Sequence, residues 1–296
     1  MTRVRILALA AILSGIICGL STQASIARVP LTSGPYTVLT GDFHVHSFPD
    51  GLPAWEAVRE AERRRLDVIA LTSHNSMVSW WLWTHAPWIP PAARDVLVLP
   101  GEELTSVGYH MTLVGLSQTV DWRQPMAASA AAAHAQGAVA ILAHPSGQDL
   151  ARVMTDDGLR GLDGIEVAHP GMETDTHVRA EFLANYRRAL AVNPRTAAIG
   201  SSDFHYFAPV GVCRTYLFVR EASANGILEA IREGRTAACD GAGHTYGPPA
   251  FASVVRDRCH EDASLPPGED TRVSRAGTWL AWAGLLAMVL AGASDR

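Results

Sequence analysis

Histidines and carboxylates recur in this chain where apolar runs end. In Gly41-Asp42-Phe43-His44-Val45-His46-Ser47 a strand would turn Asp42, His44 and His46 to one face and Phe43 and Val45 to the other. Two imidazoles about 7 Å apart on one strand face can share a metal with ligands from elsewhere. His74 follows DVIALTS, Glu103 follows VLVLPGE, and His144 follows AVAILA just before a Pro. Asp203 and His205 close TAAIGSSDFH with the same i, i+2 spacing as the first pair. Any one of these is ordinarily a satisfied core histidine or a helix cap. Seven such residues at five strand ends in one chain point to one shared metal site. The donors are nitrogen and oxygen without thiolate, which suits Zn, Mn or Fe. Metals held close together would lower the pKa of a shared water, and the resulting hydroxide would attack phosphorus in line or a carbonyl carbon.

Such residues converge only if the strand ends converge. Apolar runs that read as buried strands (Thr37–His46, Asp67–His74, Asp95–Thr105, Tyr109–Leu116, Ala138–His144, Gly164–Ala168, Arg195–His205, Arg214–Val219) alternate with helical patterns (Ala54–Arg65, Met126–Gln136, His177–Val192, Asn225–Arg232). Alternation over one domain of residues 36–258 predicts an α/β fold with a mainly parallel sheet, as a closed barrel or a doubly wound open sheet. In such folds the carboxyl ends of the strands share one face, where sites are built.

GDFHVHS, the Asp50-Gly51 after it, TSHN (72–75), PGEE (100–103), YHMTLVG (109–115), AHP (143–145) and SSDFH (201–205) resemble, in family order, the PHP (polymerase and histidinol phosphatase) superfamily of metal-dependent phosphoesterases. GEE followed shortly by a His looks most like the carbaryl-hydrolase-like branch, whose scissile bond need not be a phosphoester. The resemblance covers about residues 40–245 and implies a distorted (β/α)7 TIM-like barrel holding two or three divalent metals. Carried over by position, it puts His44, His46 and Asp203 on one metal, with Glu103 bridging to a second held by His110 and His144. Asp50, His74 and His205 would hold a third. The family usually has Asp where this chain has Ser73, and the gap from His46 to Asp50 is one residue shorter than common. Asp42 is expected to act beside the metals by orienting an imidazole.

The ends of the chain read differently. Residues 1–27, with Arg3 and Arg5 before the apolar run Ile6–Leu20 and small residues after it, predict a secretory signal cleaved after Ala24 or Ala27. The protein is thus expected outside the cytoplasm, periplasmic or at the cell surface. Residues 259–276 read as a Pro/Gly-rich linker, and 277–293, long enough at about 25 Å, as a C-terminal transmembrane helix that would tether the domain. Removing Arg3 and Arg5, with no acid, takes the formal charge from −5 to −7. A mildly acidic chain without a basic block is a poor nucleic-acid binder. All 24 cationic residues are Arg, so Schiff-base chemistry and a Walker A loop, which need a Lys, are excluded. No Gly-x-Ser-x-Gly is present, against a serine hydrolase of the common α/β type. Cys213, Cys239 and Cys259 allow one disulfide, in any pairing, and one free thiol.

For a small-molecule substrate, His169 after GIEVA is a candidate catalytic contact, Arg214 a candidate phosphate contact, and His244 a candidate pocket wall. Trp80, Trp81, Trp83 and Trp88 would pack a helix or border a hydrophobic mouth. Three functions stand open. The first is an exported metal-dependent phosphoesterase acting on a small phosphate ester. The second is a metal-dependent hydrolase of carboxylic or carbamic esters or amides, and the third a non-catalytic metal-binding module.

Overall fold

A computed structural model describes residues 3–21, 29–47, 54–85, 96–205, 209–265 and 271–293. The chain divides into two compact units, residues 27–265 and the two termini (1–26 with 266–296).

The larger unit is an α/β barrel. Its strands are β1 (Leu31–Ser33), β2 (Tyr36–Val45), β3 (Val68–Leu71), β4 (Leu97–Ser106), β5 (Tyr109–Val114), β6 (Val139–Ala143), β7 (Gly164–Ala168), β8 (Ala197–Gly200), β9 (Arg214–Val219), β10 (Thr236–Cys239) and β11 (Thr245–Tyr246). The hydrogen-bonded order is β11-β10-β9-β2-β3-β4-β5-β6-β7-β8, with β1 added on β2. Every residue of β3, β6, β7 and β8 is buried. Strands covered on both faces read as unbroken apolar runs, which is why the sequence announces them. β2 to β8 curl until β8 meets β9. There the Thr215 hydroxyl donates to the Gly200 carbonyl and accepts from the Gly200 N–H, each at 2.9 Å. A Cβ at Gly200 would meet the Arg214 backbone, so only glycine allows this approach.

The sheet is less parallel than expected. Among the described strands four pairs are parallel (β2–β3, β3–β4, β6–β7, β7–β8), and the other six are antiparallel. The cause is local: only Val107 and Gly108 separate β4 from β5, and Gly108 sits at φ +90°, so the chain reverses in a hairpin with no crossover helix. Reversal brings the start of β5 to the carboxyl ends of its neighbours, with His110 opposite Thr105 on one side and Ala143 on the other.

Covering helices are started by side-chain caps. Asp175 accepts from the His177 and Val178 N–H groups to begin Thr176–Val192, and Ser223 accepts from Gly226 to begin Ala224–Arg232. Trp80 and Trp83, in the helix Val78–His85, pack partly buried against a cluster that includes Val45, Ala57 and Leu71. Trp81 is exposed and stacks on His85, and Trp88 lies outside the described residues.

The expected linker starts too early. Residues 256–263 form a helix of the larger unit that buries Cys259 and Asp262. Cys239 and Cys259 form a disulfide joining β10 to this helix, while Cys213 is buried and free. The C-terminal helix also differs from expectation. It begins at Thr271 and takes in Arg272 and Arg275, and among the described residues no helix is long and apolar enough to cross a membrane. Its partner in the smaller unit is the helix Arg3–Ser21. The two meet at small residues, Gly15 against Gly277 and Ala281, and Gly284 against Ala8 and Ile12. The expected cleavage sites, at Ala24 or Ala27, lie outside the described residues.

Candidate metal centre

At the carboxyl ends of β2, β3, β4, β6 and β8, joined by the start of β5, eight side chains gather. Each imidazole arrives from a strand end or the turn after it: His44 from β2 and His46 just past it, His74 beyond β3, His110 from β5, His144 after β6, and His205 beyond β8. Donor atoms of three groups lie within 4.8 Å of one another: His44, His46 and Asp203; His44, Glu103 and His144; His46, His74 and His205. Asp203 Oδ1 stands 3.2 Å from His44 Nε2 and 3.3 Å from His46 Nε2. Glu103 spans the groups, with Oε1 2.8 Å from His110 Nδ1 and 3.1 Å from His144 Nε2. Its Oε2 lies 2.7 Å from His74 Nδ1 and 3.5 and 3.4 Å from the Nε2 atoms of His44 and His46. His74 and His205 face each other, Nε2 to Nε2, at 3.1 Å. Asp50 lies outside the described residues.

These residues fit divalent cations. His44 Nε2, His46 Nε2 and Asp203 Oδ1 are buried, point at one another and have no hydrogen-bond partner. Native interiors rarely leave polar atoms in that state unless something else satisfies them. The set is imidazole and carboxylate only, the donors preferred by Zn, Mn and Fe.

Electrostatics give the same picture. Burial opposes the charge of Asp203, yet His44, with the bonds from His169, His205 and His46, holds its carboxyl far below the usual range. Burial opposes the Glu103 charge too, and His44, His110 and His144 hold its carboxyl well below normal. Burial also works against a charged His44, but Asp203, Glu103 and Glu166 raise it well above an ordinary imidazole. Burial takes His46 down to about 4. Two carboxylates kept ionised in a buried pocket, with His44 drawn toward its charged form to balance them, mark a place where positive charge is favoured.

Backbone strain collects here. Asn75, His144 and Asp203 are non-glycine residues at φ +46°, +26° and +48°. Such conformations persist where the surroundings enforce them, commonly at functional sites.

Two expectations need correction. Asp42 does not reach an imidazole. The β2–β3 register shifts between Asp42 and Val45, which breaks the simple alternation. Asp42 Oδ1 accepts from the His44 and Ser202 N–H groups and Oδ2 from Gly211, so it ties backbone segments together. Burial pushes this carboxyl up to about 6, against the pull of those donors. Arg214 is fully buried and makes no surface for substrate: it donates to the carbonyls of Gly211 and Arg64 and pairs with Asp262 at 3.3 Å. His169, the candidate catalytic contact, lies beside the cluster. Its Nε2 is 3.3 Å from Asp203 Oδ2, and its Nδ1 accepts from the Gly171 N–H.

His244 is held by Asp240, Nδ1 to Oδ2 at 3.0 Å, rather than by the cluster. Ser73, the departure from the family pattern, is buried with its hydroxyl bonded to Ser79. Glu166 was passed over in the sequence as part of the apolar run GIEVA. A single acid inside a run of buried strand residues was the available signal, because a buried carboxylate must find partners. Beside His110 and His144 lies a cleft of about 250 Å³, lined also by Ser106, Tyr109, Ser146 and Asp149, with no arginine among the described residues that line it.

The family model described as PHP-associated matches residues 174–236. A crystal structure of a two-domain protein from Bacteroides vulgatus, described as containing a PHP-like metal-dependent phosphoesterase, is similar at 26% identity and a TM-score of 0.52, covering 74% of this chain and 70% of that one. A putative metal-dependent phosphoesterase from Bifidobacterium adolescentis (18% identity, TM-score 0.43, 58% of this chain and 90% of that one) and PsfC from Pseudomonas syringae (17%, 0.47, 76% and 98%) are weaker likenesses that carry no argument. No curated protein matches the chain. The PHP-associated segment and the barrel shared with the Bacteroides vulgatus protein support the PHP superfamily for this chain and, with it, a metal-dependent hydrolase.

Proposed function

We propose that the protein is an exported metal-dependent phosphoesterase that hydrolyses a small phosphate ester with two or three bound divalent cations, Mn, Zn or Fe. The observation that carries the reading is the convergence of buried, unpartnered ligand atoms from His44, His46 and Asp203 around Glu103. When bound, such cations supply Lewis-acid polarisation and a water that is deprotonated near neutral pH. His44, His46 and Asp203 would hold one cation and Glu103, His110 and His144 a second, with His74 and His205 turned toward a third. Glu103 reaches both flanking groups of imidazoles, so it fixes the spacing between neighbouring cations. The disulfide Cys239–Cys259 supports an oxidising compartment outside the cytoplasm.

A second reading, hydrolysis of a carboxylic or carbamic ester or amide at the same cluster, draws on the arginine-free lining of the cleft beside His110 and His144. Phosphate recognition ordinarily recruits Arg or backbone N–H groups.

The test is elemental analysis of the full chain beside His44→Ala/Asp203→Ala, followed by turnover of aryl phosphate mono- and diesters against aryl carboxyl esters. Two or three metals per wild-type chain, lost in the variant, with chelator-sensitive phosphate-ester cleavage, is the expected result. Carboxyl-ester cleavage alone would replace the first reading by the second, and a chain without metal would overturn both.

A further inference from the structure

Strand β7 contributes no ligand, yet Glu166 within it and His169 just past its end contact ligands of the cluster at three points. Glu166 is fully buried, its Oε1 2.9 Å from His44 Nδ1. Its Oε2 accepts the His144 backbone N–H at 2.6 Å. Three residues on, His169 Nε2 meets Asp203 Oδ2 at 3.3 Å.

Each contact has a direction that chemistry fixes. An ionised carboxylate can only accept, so His44 Nδ1 carries a hydrogen given to Glu166, and Nε2 is the ring nitrogen left to face Asp203 Oδ1 and Glu103 Oε2, where a cation would take its lone pair. A backbone N–H can only donate. The Gly171 N–H on His169 Nδ1, at 3.0 Å, therefore places the His169 proton on Nε2, from which it is given to Asp203 Oδ2. Asp203 then has one oxygen engaged and the other, Oδ1, turned to His44 and His46. The His144 N–H held by Glu166 belongs to the residue at φ +26°, and that backbone aims its ring at Glu103 Oε1.

We propose that Glu166 and His169 are positioning residues: from one ligand-free strand and the helix cap that follows it, they set the tautomer of His44, the backbone of His144 and the free oxygen of Asp203 for cation binding. The inference rests on the metal-cluster reading. Ligating histidines generally pass their second N–H to a carboxylate or carbonyl, and loss of such a partner lowers metal affinity about 10–100-fold. What is particular here is that one carboxylate serves ligands of two neighbouring cations. Glu166→Gln cannot reproduce this, since an amide has one acceptor oxygen for two donors.

The test has two arms on the full chain. In the first, Zn²⁺ affinity is measured by competition with a chromogenic chelator for wild type, Glu166→Gln and Glu166→Asp. A loss of about 10–100-fold in Glu166→Gln, with Glu166→Asp also impaired because its shorter stem cannot span both donors, is expected. In the second, ¹⁵N spectra of the histidine rings in Zn²⁺-loaded wild type report tautomers without any substitution. They should show Nδ1–H for His44 and Nε2–H for His169. Wild-type affinity in Glu166→Gln, or a His44 proton on Nε2, would overturn the proposal. If a variant does not fold, the wild-type spectra decide. Wild type that binds no Zn²⁺ would instead overturn the metal reading, and the metal-free rings would still show whether Glu166 fixes His44.

Discussion

Joining β10 to the helix Arg256–Ala263, the disulfide lends itself to a quantitative test. Cys239 and Cys259 are 20 residues apart. In the chain-entropy treatment, closing a loop of this length removes about 11 cal/mol/K from the unfolded ensemble, or about 3 kcal/mol at room temperature. For a domain of this size that corresponds to roughly 6–12 °C in Tm. The link lies in a small apolar cluster with Val38, Tyr216, Phe218 and Val255. Replacement by Ala would therefore also delete packing atoms. Reductant alone breaks the link without deleting anything, so it is the cleaner perturbation. The assay is urea unfolding and calorimetry of the oxidised wild type, the reduced wild type and Cys239→Ala/Cys259→Ala. Oxidised protein should be the most stable, reduced protein lower by about 3 kcal/mol, and the double variant lower still and insensitive to reductant. Equal stability of oxidised and reduced protein would refute the reasoning and remove the main support for an oxidising compartment.

Arg214→Met should cost about 3–5 kcal/mol in urea unfolding, because it strands Asp262 in the interior; a raised KM at unchanged stability would restore the substrate-contact reading. Gly200→Ala forces a Cβ into the Arg214 backbone, its carbonyl oxygen first, and should cost about 1–3 kcal/mol, read as a lowered Tm. The Asp163 hydrogen bond at 2.7 Å raises the pKa of His134, against partial burial and the charge of Arg232. Its stabilising contribution is therefore complete below the unfolded value of 6.5 and is lost as pH rises through the folded one. With the imidazole 39% exposed the effect is screened to under about 1 kcal/mol, so the stability gap between wild type and His134→Gln should be small at about pH 5.5 and absent at about pH 9. Glu103→Gln should bind less metal than wild type by elemental analysis, since Glu103 touches every imidazole group of the cluster.

Much of this architecture was legible because buried strands announce themselves. VIAL, VAILA and AAIG are apolar throughout, and each is followed by a polar residue at the face where the barrel gathers its ligands. The i, i+2 spacing of His44 and His46 survived the bulge in β2, whereas the inference for Asp42 did not, because it depended on unbroken alternation. His110 reached the cluster for a reason the periodicity does not carry: a two-residue turn reverses β5. Arg214 and Glu166 show the remaining limit. A buried Arg and a buried Glu look the same in sequence as exposed ones, and only tertiary partners, Asp262 in one case and His44 with the His144 backbone in the other, distinguish them. The short strands β10 and β11 and the helix Arg256–Ala263 carry too few residues for periodicity to register.

The order of the strands bears on how the chain folds. β2 is laid down early, yet one of its two main neighbours is β9, with Thr37 opposite Val219. The end of β2 is likewise held from far along the chain: His46 N–H donates to the Phe204 carbonyl at 3.2 Å, and Ser202 N–H to Asp42. As synthesis proceeds from the amino end, one edge of β2 therefore stays unpaired until about three quarters of the residues have emerged. Contacts of such sequence separation are slow to form, and an open strand edge is the surface on which chains join wrongly. Strand β2, which carries His44, thus keeps an edge open until β9 is made, and His44 meets Asp203 only through the closure of contacts distant along the chain.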